Sequence, residues 1–188
     1  MNLLLKTYGL LVVLSLCVEA QPLNPTTYPY GGVPNGSRRE YFSLKDPIDF
    51  RLAADFKRAH FYSTADFVLA TFHSRADFEG VTFDSTVDFR TARFRSKINF
   101  IRAEFHGPAY FREATFDSTA DFEEAAFEST ADFEGATFEK GIDLQKASFR
   151  DTVVRFFKSN VRGSVCCVDI PGNLVADFTS AVLSRIVS

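Results

Sequence analysis

From Phe50 to Phe149 a bulky apolar residue recurs at alternating intervals of six and five residues, so the fundamental repeat is eleven residues long. A helix needs apolar residues three and four apart, and an uninterrupted strand needs them every two. Neither period fits. Two positions before nearly every bulky residue stands a small one, mostly Ala (Ala54, Ala59, Ala65, Ala70, Ala120, Ala131), otherwise Val81, Val87, Ile98 or Ile142. Residues two apart on an extended segment face the same way. Small-x-large is therefore one short extended step, followed by a corner of two or three residues. Repeating step and corner winds a solenoid, and such a repeat decides the fold before any local propensity does.

The repeat reads roughly S-T-A-D-F-E-x-A-T-F-E and is nearly perfect in Ser118-Thr119-Ala120-Asp121-Phe122-Glu123 and Ser129-Thr130-Ala131-Asp132-Phe133-Glu134. Over about residues 48–149, on nineteen consecutive centres, the chain resembles the pentapeptide-repeat family, whose units read A-(D/N)-(L/F)-x-x. The resemblance implies an all-β fold, a right-handed quadrilateral β-helix with four short faces per coil. An extra residue after every second unit lengthens the coil from twenty residues to twenty-two and leaves the corner geometry open.

A coil of twenty-two residues stacks Phe56, Phe78, Phe100, Phe122 and Leu144 in one column. The others are Phe61, Phe83, Phe105, Phe127, Phe149; Phe67, Phe89, Phe111, Phe133; and Phe72, Phe94, Phe116, Phe138. At a spacing of about 4.8 Å, about five coils make a rod roughly 24 Å long. Each buried ring contributes on the order of 2–3 kcal/mol of transfer energy, an upper estimate.

The chain divides into a signal peptide (1–20), a Pro/Gly-rich linker or N-terminal cap (21–45), the β-helix (46–157) and a C-terminal cap (158–188). Lys6, the apolar stretch Tyr8 to Val18 and the small-residue site Val18-Glu19-Ala20 have the form of a secretory signal, rather than an uncleaved anchor. Asn35-Gly36-Ser37 is an N-glycosylation acceptor. After Phe149 the rhythm fails: Arg155 holds the next centre and Phe156-Phe157 are out of phase, so the rod is expected to stop there. Leu174, Phe178, Val182 and Ile186 place a helix over 171–187, either capping the last coil or making a homodimer contact. The adjacent Cys166 and Cys167 are free thiols, a strained vicinal bond or a bond between chains.

Outside, the residue before each centre differs by face. One class reads Asp55, Asp66, Asp77, Asp88, Asn99, Tyr110, Asp121, Asp132, Asp143; the other reads His60, Thr71, Thr82, Arg93, Glu104, Thr115, Ala126, Thr137, Ser148. The Asp columns have two readings, side chains that hydrogen-bond the corner backbone or ligands for cations. From Glu113 to Asp143 there are ten acidic residues and one Lys, which makes Glu113, Asp117, Asp121, Glu123, Glu124, Glu128, Asp132 and Glu134 a candidate acidic interaction surface.

No phosphate loop, nucleophile elbow or metal-spaced His pair is present, and a ring-filled interior leaves no pocket. His60, His73 and His106 lie outside; His60 and His106 share a face two coils apart, a separation too large for a shared metal. These features point away from an enzyme, a cofactor, a metal, a small-molecule substrate and a nucleic-acid partner. The expectation is a secreted, non-enzymatic scaffold or interaction module with a macromolecular partner, a protein. The alternative is an acidic DNA mimic that inhibits or protects a DNA-handling enzyme, as some pentapeptide-repeat proteins are thought to do for gyrase.

Overall fold

The computed structural model describes residues 48–150, 153–169 and 175–187. The signal peptide, the linker with Asn35, and residues 170–174 of the expected cap lie outside the described residues. The described chain forms short strands, numbered β1 to β23 in order, wound into a parallel solenoid of about six turns.

Face one holds β1 (Asp49–Phe50), β5 (Thr71–Phe72), β9 (Arg93–Phe94), β13 (Thr115–Phe116) and β17 (Thr137–Phe138). Face two holds β2 (Ala54–Asp55), β6 (Ala76–Asp77), β10 (Ile98–Asn99), β14 (Ala120–Asp121) and β18 (Gly141–Asp143). Face three holds β3 (His60–Phe61), β7 (Thr82–Phe83), β11 (Glu104–Phe105), β15 (Ala126–Phe127) and β19 (Ser148–Phe149). Face four holds β4 (Ala65–Asp66), β8 (Val87–Asp88), β12 (Ala109–Tyr110), β16 (Ala131–Asp132), β20 (Val153–Arg155) and β22 (Val175–Asp177). Partners up to Phe149 are twenty-two residues apart, as in Asp49 with Thr71 and Ile98 with Ala120.

The alternation of five and six is an alternation of corners. After each centre on faces two and four the chain makes a four-residue turn, with Ala59 N–H donating to Phe56 C=O at 3.0 Å and Ala70 N–H to Phe67 C=O at 3.0 Å. The third residue of that turn is left-handed at Arg58 (φ 55°), Leu69, Gly80, Thr91, Arg102, Glu113, Glu124, Gly135 and Lys146, as the type II turn requires. Only two of these nine are glycine. The intervening corners carry one residue more, as in Phe61-Tyr62-Ser63-Thr64-Ala65.

Inside, the rings stack coil on coil at 4.4 to 5.4 Å, nearly parallel. Across the axis the columns of faces two and four meet edge to face: Phe78 and Phe89 at 5.6 Å and 84°, Phe111 and Phe122 at 5.5 Å and 86°. Both are favourable quadrupole geometries. Phe56 through Phe138 and Leu144 at the centre positions are buried, and Phe149 is partly buried against them. The Ala methyls fill the space beside the rings.

Beyond Phe149 the expectation of a stop is corrected. One added residue pairs Ala131 with Val154 and Ile142 with Val165, and Phe156 instead of Arg155 takes the centre, stacked on Phe133 at 5.0 Å and 8°. Phe178 stacks on Phe156 in turn at 4.8 Å, which is why the rod reaches about six turns and not five. The expected helix is likewise corrected: β22 and β23 (Val182–Val187) occupy the described part of 171–187. Phe178 packs against the core while Val182 is 63 % exposed, so the two do not share a helical stripe. The missed signal was Ala176-Asp177-Phe178, one more small-Asp-Phe step.

In this last part the corner between faces one and two disappears. The seven-residue strand β21 (Asn160–Cys166) pairs with β17 at one end and β18 at the other, merging both faces into one twelve-stranded sheet, and β23 pairs along it. The backbones come so close that a Cβ at Gly141 would collide with the Ser164 peptide and one at Gly163 with the Lys140 carbonyl.

Candidate functional site

With rings filling the interior, chemistry is confined to the outer faces, and the Asp columns show how those faces are built. The side chains of Asp55, Asp66, Asp77, Asp88, Asn99, Asp121, Asp132, Asp143 and Asp177 each accept the backbone N–H two residues on, at 2.9 to 3.3 Å. Each caps the entrance to a tight corner. That explains why Asp favours faces two and four and why Thr suffices on the others, whose strands lead into the wider corners. Among the described residues no group of three His, Cys, Asp or Glu side chains is placed to hold a metal ion.

Stacked carboxylates would repel one another, and face two relieves this in two ways. Asn99 stands between Asp77 and Asp121, buried, and its Nδ2 donates to Asp77 Oδ1 at 2.9 Å. Cations close over the two Asp on either side of it: Arg75 and Lys57 reach Asp77 at 2.7 and 3.4 Å, and Lys97 reaches Asp121 at 2.9 Å. Asn99→Asp should therefore destabilise by roughly 1–3 kcal/mol, the range for a lost buried hydrogen bond, with like-charge repulsion added. Urea melts at pH 7 and pH 4 check this. The deficit should shrink at the lower pH, where a protonated carboxyl can donate again.

The structure does not gather the acidic candidates on one surface. Asp117 lies on face one, Asp121, Glu123 and Glu124 on face two, Glu128 on face three, and Asp132, Glu134 and Glu113 on face four. Six of the eight meet a cation of an adjacent coil. Arg93 reaches Asp117 at 3.0 Å, Lys97 Asp121 at 2.9 Å, Arg102 Glu124 at 2.7 Å and Arg112 Glu134 at 2.7 Å. Arg150 approaches Glu128 and Arg155 approaches Asp132, both at 3.8 Å. Among the described residues Glu113 and Glu123 have no ion pair.

Exposed pairs of this kind contribute roughly 0.2–1 kcal/mol each and weaken with salt. The hydrogen bond from Arg102, with its charge, holds the Glu124 carboxyl below its ordinary range. A carboxyl depressed in the folded state adds stability above its unfolded pKa and loses it as pH falls through the folded value.

Face three differs from the others in having no Lys or Arg on β3, β7, β11 or β15 or the corners that follow them. Although two coils apart, His60 and His106 meet the same carboxylate: His60 Nε2 lies 2.9 Å from Asp84 Oδ2, and His106 Nδ1 lies 3.2 Å from Asp84 Oδ1. The His60 approach is close but off-line, and its buried Nε2 makes no aligned hydrogen bond. His60 also stacks on the exposed Tyr62 ring at 4.0 Å. His73 pairs with Asp49 at 2.6 Å on face one.

Cys166 and Cys167 are free. Cys166 lies in register with Asp143, an outward position, while the next residue, Cys167, follows Leu144 and packs against the core. Adjacent residues of an extended chain face opposite ways, which disfavours a vicinal bond. Burial raises the Cys167 thiol pKa, with the neighbouring Cys166 and Asp143 charges adding to it. A maleimide should label Cys166 at least about ten-fold faster than Cys167. Equal rates in Cys166→Ser and Cys167→Ser variants would refute that orientation.

The sequence model of the family described as pentapeptide repeats (9 copies) matches residues 48–93 and 100–148, just over half of the chain. No curated protein matches, and no solved structure matches. The alternating five- and six-residue units, the four stacked columns and this match together place the chain in the pentapeptide-repeat family.

Proposed function

We propose that this protein is a secreted, non-enzymatic scaffold or protein-interaction module. The observation that carries the reading is the ring-filled interior: with Phe stacked on Phe through the rod, the chemistry that could meet a partner lies on rigid outer faces at fixed spacing. The family is generally non-enzymatic, which agrees with it. Secretion rests on the signal-like residues 1–20.

The first test is expression of the full chain with a C-terminal tag in secreting cells. Tagged protein in the medium with Gln21 at its new N-terminus supports secretion, and retention of an intact chain in the cytosol overturns it. The second is affinity capture from the extracellular fluid of the source organism. A partner lost on changing one face but not the opposite one supports the module. A substrate turned over by the purified protein, with activity abolished by a surface substitution, overturns it. The pairing of acidic side chains with Arg and Lys on neighbouring coils speaks against an acidic mimic of duplex DNA.

A further inference from the structure

We infer that strands β20 to β23 open as a unit, separately from the coils on which they sit. Three observations on different parts of the chain meet at this junction. The first is the interior. In the middle of the rod every column passes from ring to ring, but among the described residues of this last part ring lies on ring only on face four, through Phe133, Phe156 and Phe178. On face one Val161 follows Phe138 in register and ends the ring stack at the junction; on face two the stack has already ended at Leu144, which the smaller Cys167 follows.

The second is polar. Ser159 takes the small position held one coil earlier by Ala136, and its Oγ is buried with no hydrogen-bond partner. A buried hydroxyl left unpaired weakens the state that buries it.

The third is electrostatic. Arg155 lies 3.8 Å from Asp132, and Arg162 Nη1 lies 2.9 Å from each oxygen of Glu139. These pairs cross the junction, are half-exposed on the Arg side and are screened by salt. A repeat array is held by its nearest-neighbour interfaces, so a weaker interface lets the terminal coils open first. Opening would strip Asp132 and Glu139 of their cations and bare the edges of β16, β17 and β18.

Native-state hydrogen exchange on the full-length mature chain tests this without any partner, so its outcome is independent of the interaction-module reading. Amides in β20 to β23 should exchange at least about ten-fold faster than those in β6 to β16, and several-fold faster still in about 0.5 M salt. Ser159→Ala should slow exchange in β20 to β23 about five-fold and leave β6 to β16 unchanged. Equal protection along the whole rod, or a response to salt and Ser159→Ala shared by all coils, overturns the inference.

Discussion

Phe100→Asp should yield a chain that does not fold. The Phe100 ring lies between Phe78 and Phe122, each at 4.9 Å, and meets the edges of Phe89 and Phe111 at 5.6 and 5.7 Å. Its side chain is fully buried, with aromatic rings above, below and across the axis. An ionised carboxylate there has no cation within the interior, and its desolvation exceeds the roughly 5–15 kcal/mol by which a domain of this size is stable. Protonation would relieve the charge but still leave a buried polar group without a partner, at about 1–3 kcal/mol, together with the lost ring. Circular dichroism and thermal melting decide the matter. Phe100→Leu separates charge from shape: it should remain folded with a loss of about 1–3 kcal/mol. A folded, normally melting Phe100→Asp protein would show that this residue does not point inward.

Gly141→Ala should cost roughly 3–5 kcal/mol, in the range of changes that strain the backbone and collide with it at once. Gly141 has φ 102°, outside the well that other residues enter at modest cost, and its missing Cβ is the space taken by the Ser164 peptide. The new Cβ is fixed to the backbone and the atoms it would meet are the Ser164 main chain, so no rotamer change relieves the collision. Gly80→Ala is the control. Its φ is 62° and its nearest obstacle is Arg58 Cγ at 3.6 Å, so about 1 kcal/mol of left-handed strain is expected and no more. Denaturant melts of the two variants should separate them clearly. Equal losses would mean that the β18 and β21 backbones are farther apart than described.

The interior was readable from the sequence because packing in a narrow tube leaves few choices. A ring at every fifth or sixth residue, with a methyl two before it, specifies inward positions unambiguously, and Phe56 to Phe138 lie where that rule puts them. The end of the rod was not readable by counting. A single added residue shifts the numerical phase at Arg155 yet leaves the small-Asp-Phe chemistry of Ala176-Asp177-Phe178 intact, and chemistry rather than count decides which residue enters the core.

The candidate surface was harder for a different reason. Charge counted along the chain gave ten acids between Glu113 and Asp143, but charge acts through space, where the neighbours of Glu124 are Arg102 and Lys146 from the coils on either side. The meeting of His60 and His106 at Asp84 was hidden by the same limitation. The left-handed turn position left only a faint trace, the glycines at 80 and 135, because Arg, Leu, Thr and Glu hold it elsewhere.

The equivalence of the two kinds of tight corner has a consequence for how such a rod can grow. Faces two and four carry the same Asp-capped turn at intervals of eleven residues, so duplication of one half-turn adds two centres and rotates everything above it by half a revolution. The interior would accept this, since ring would again lie on ring. The exterior would not: Arg102 would lose Glu124, and the salt-bridge ladder would be dealt anew. Length and surface pattern are thus separately heritable in this architecture, with the core indifferent to insertions that redraw the outside completely.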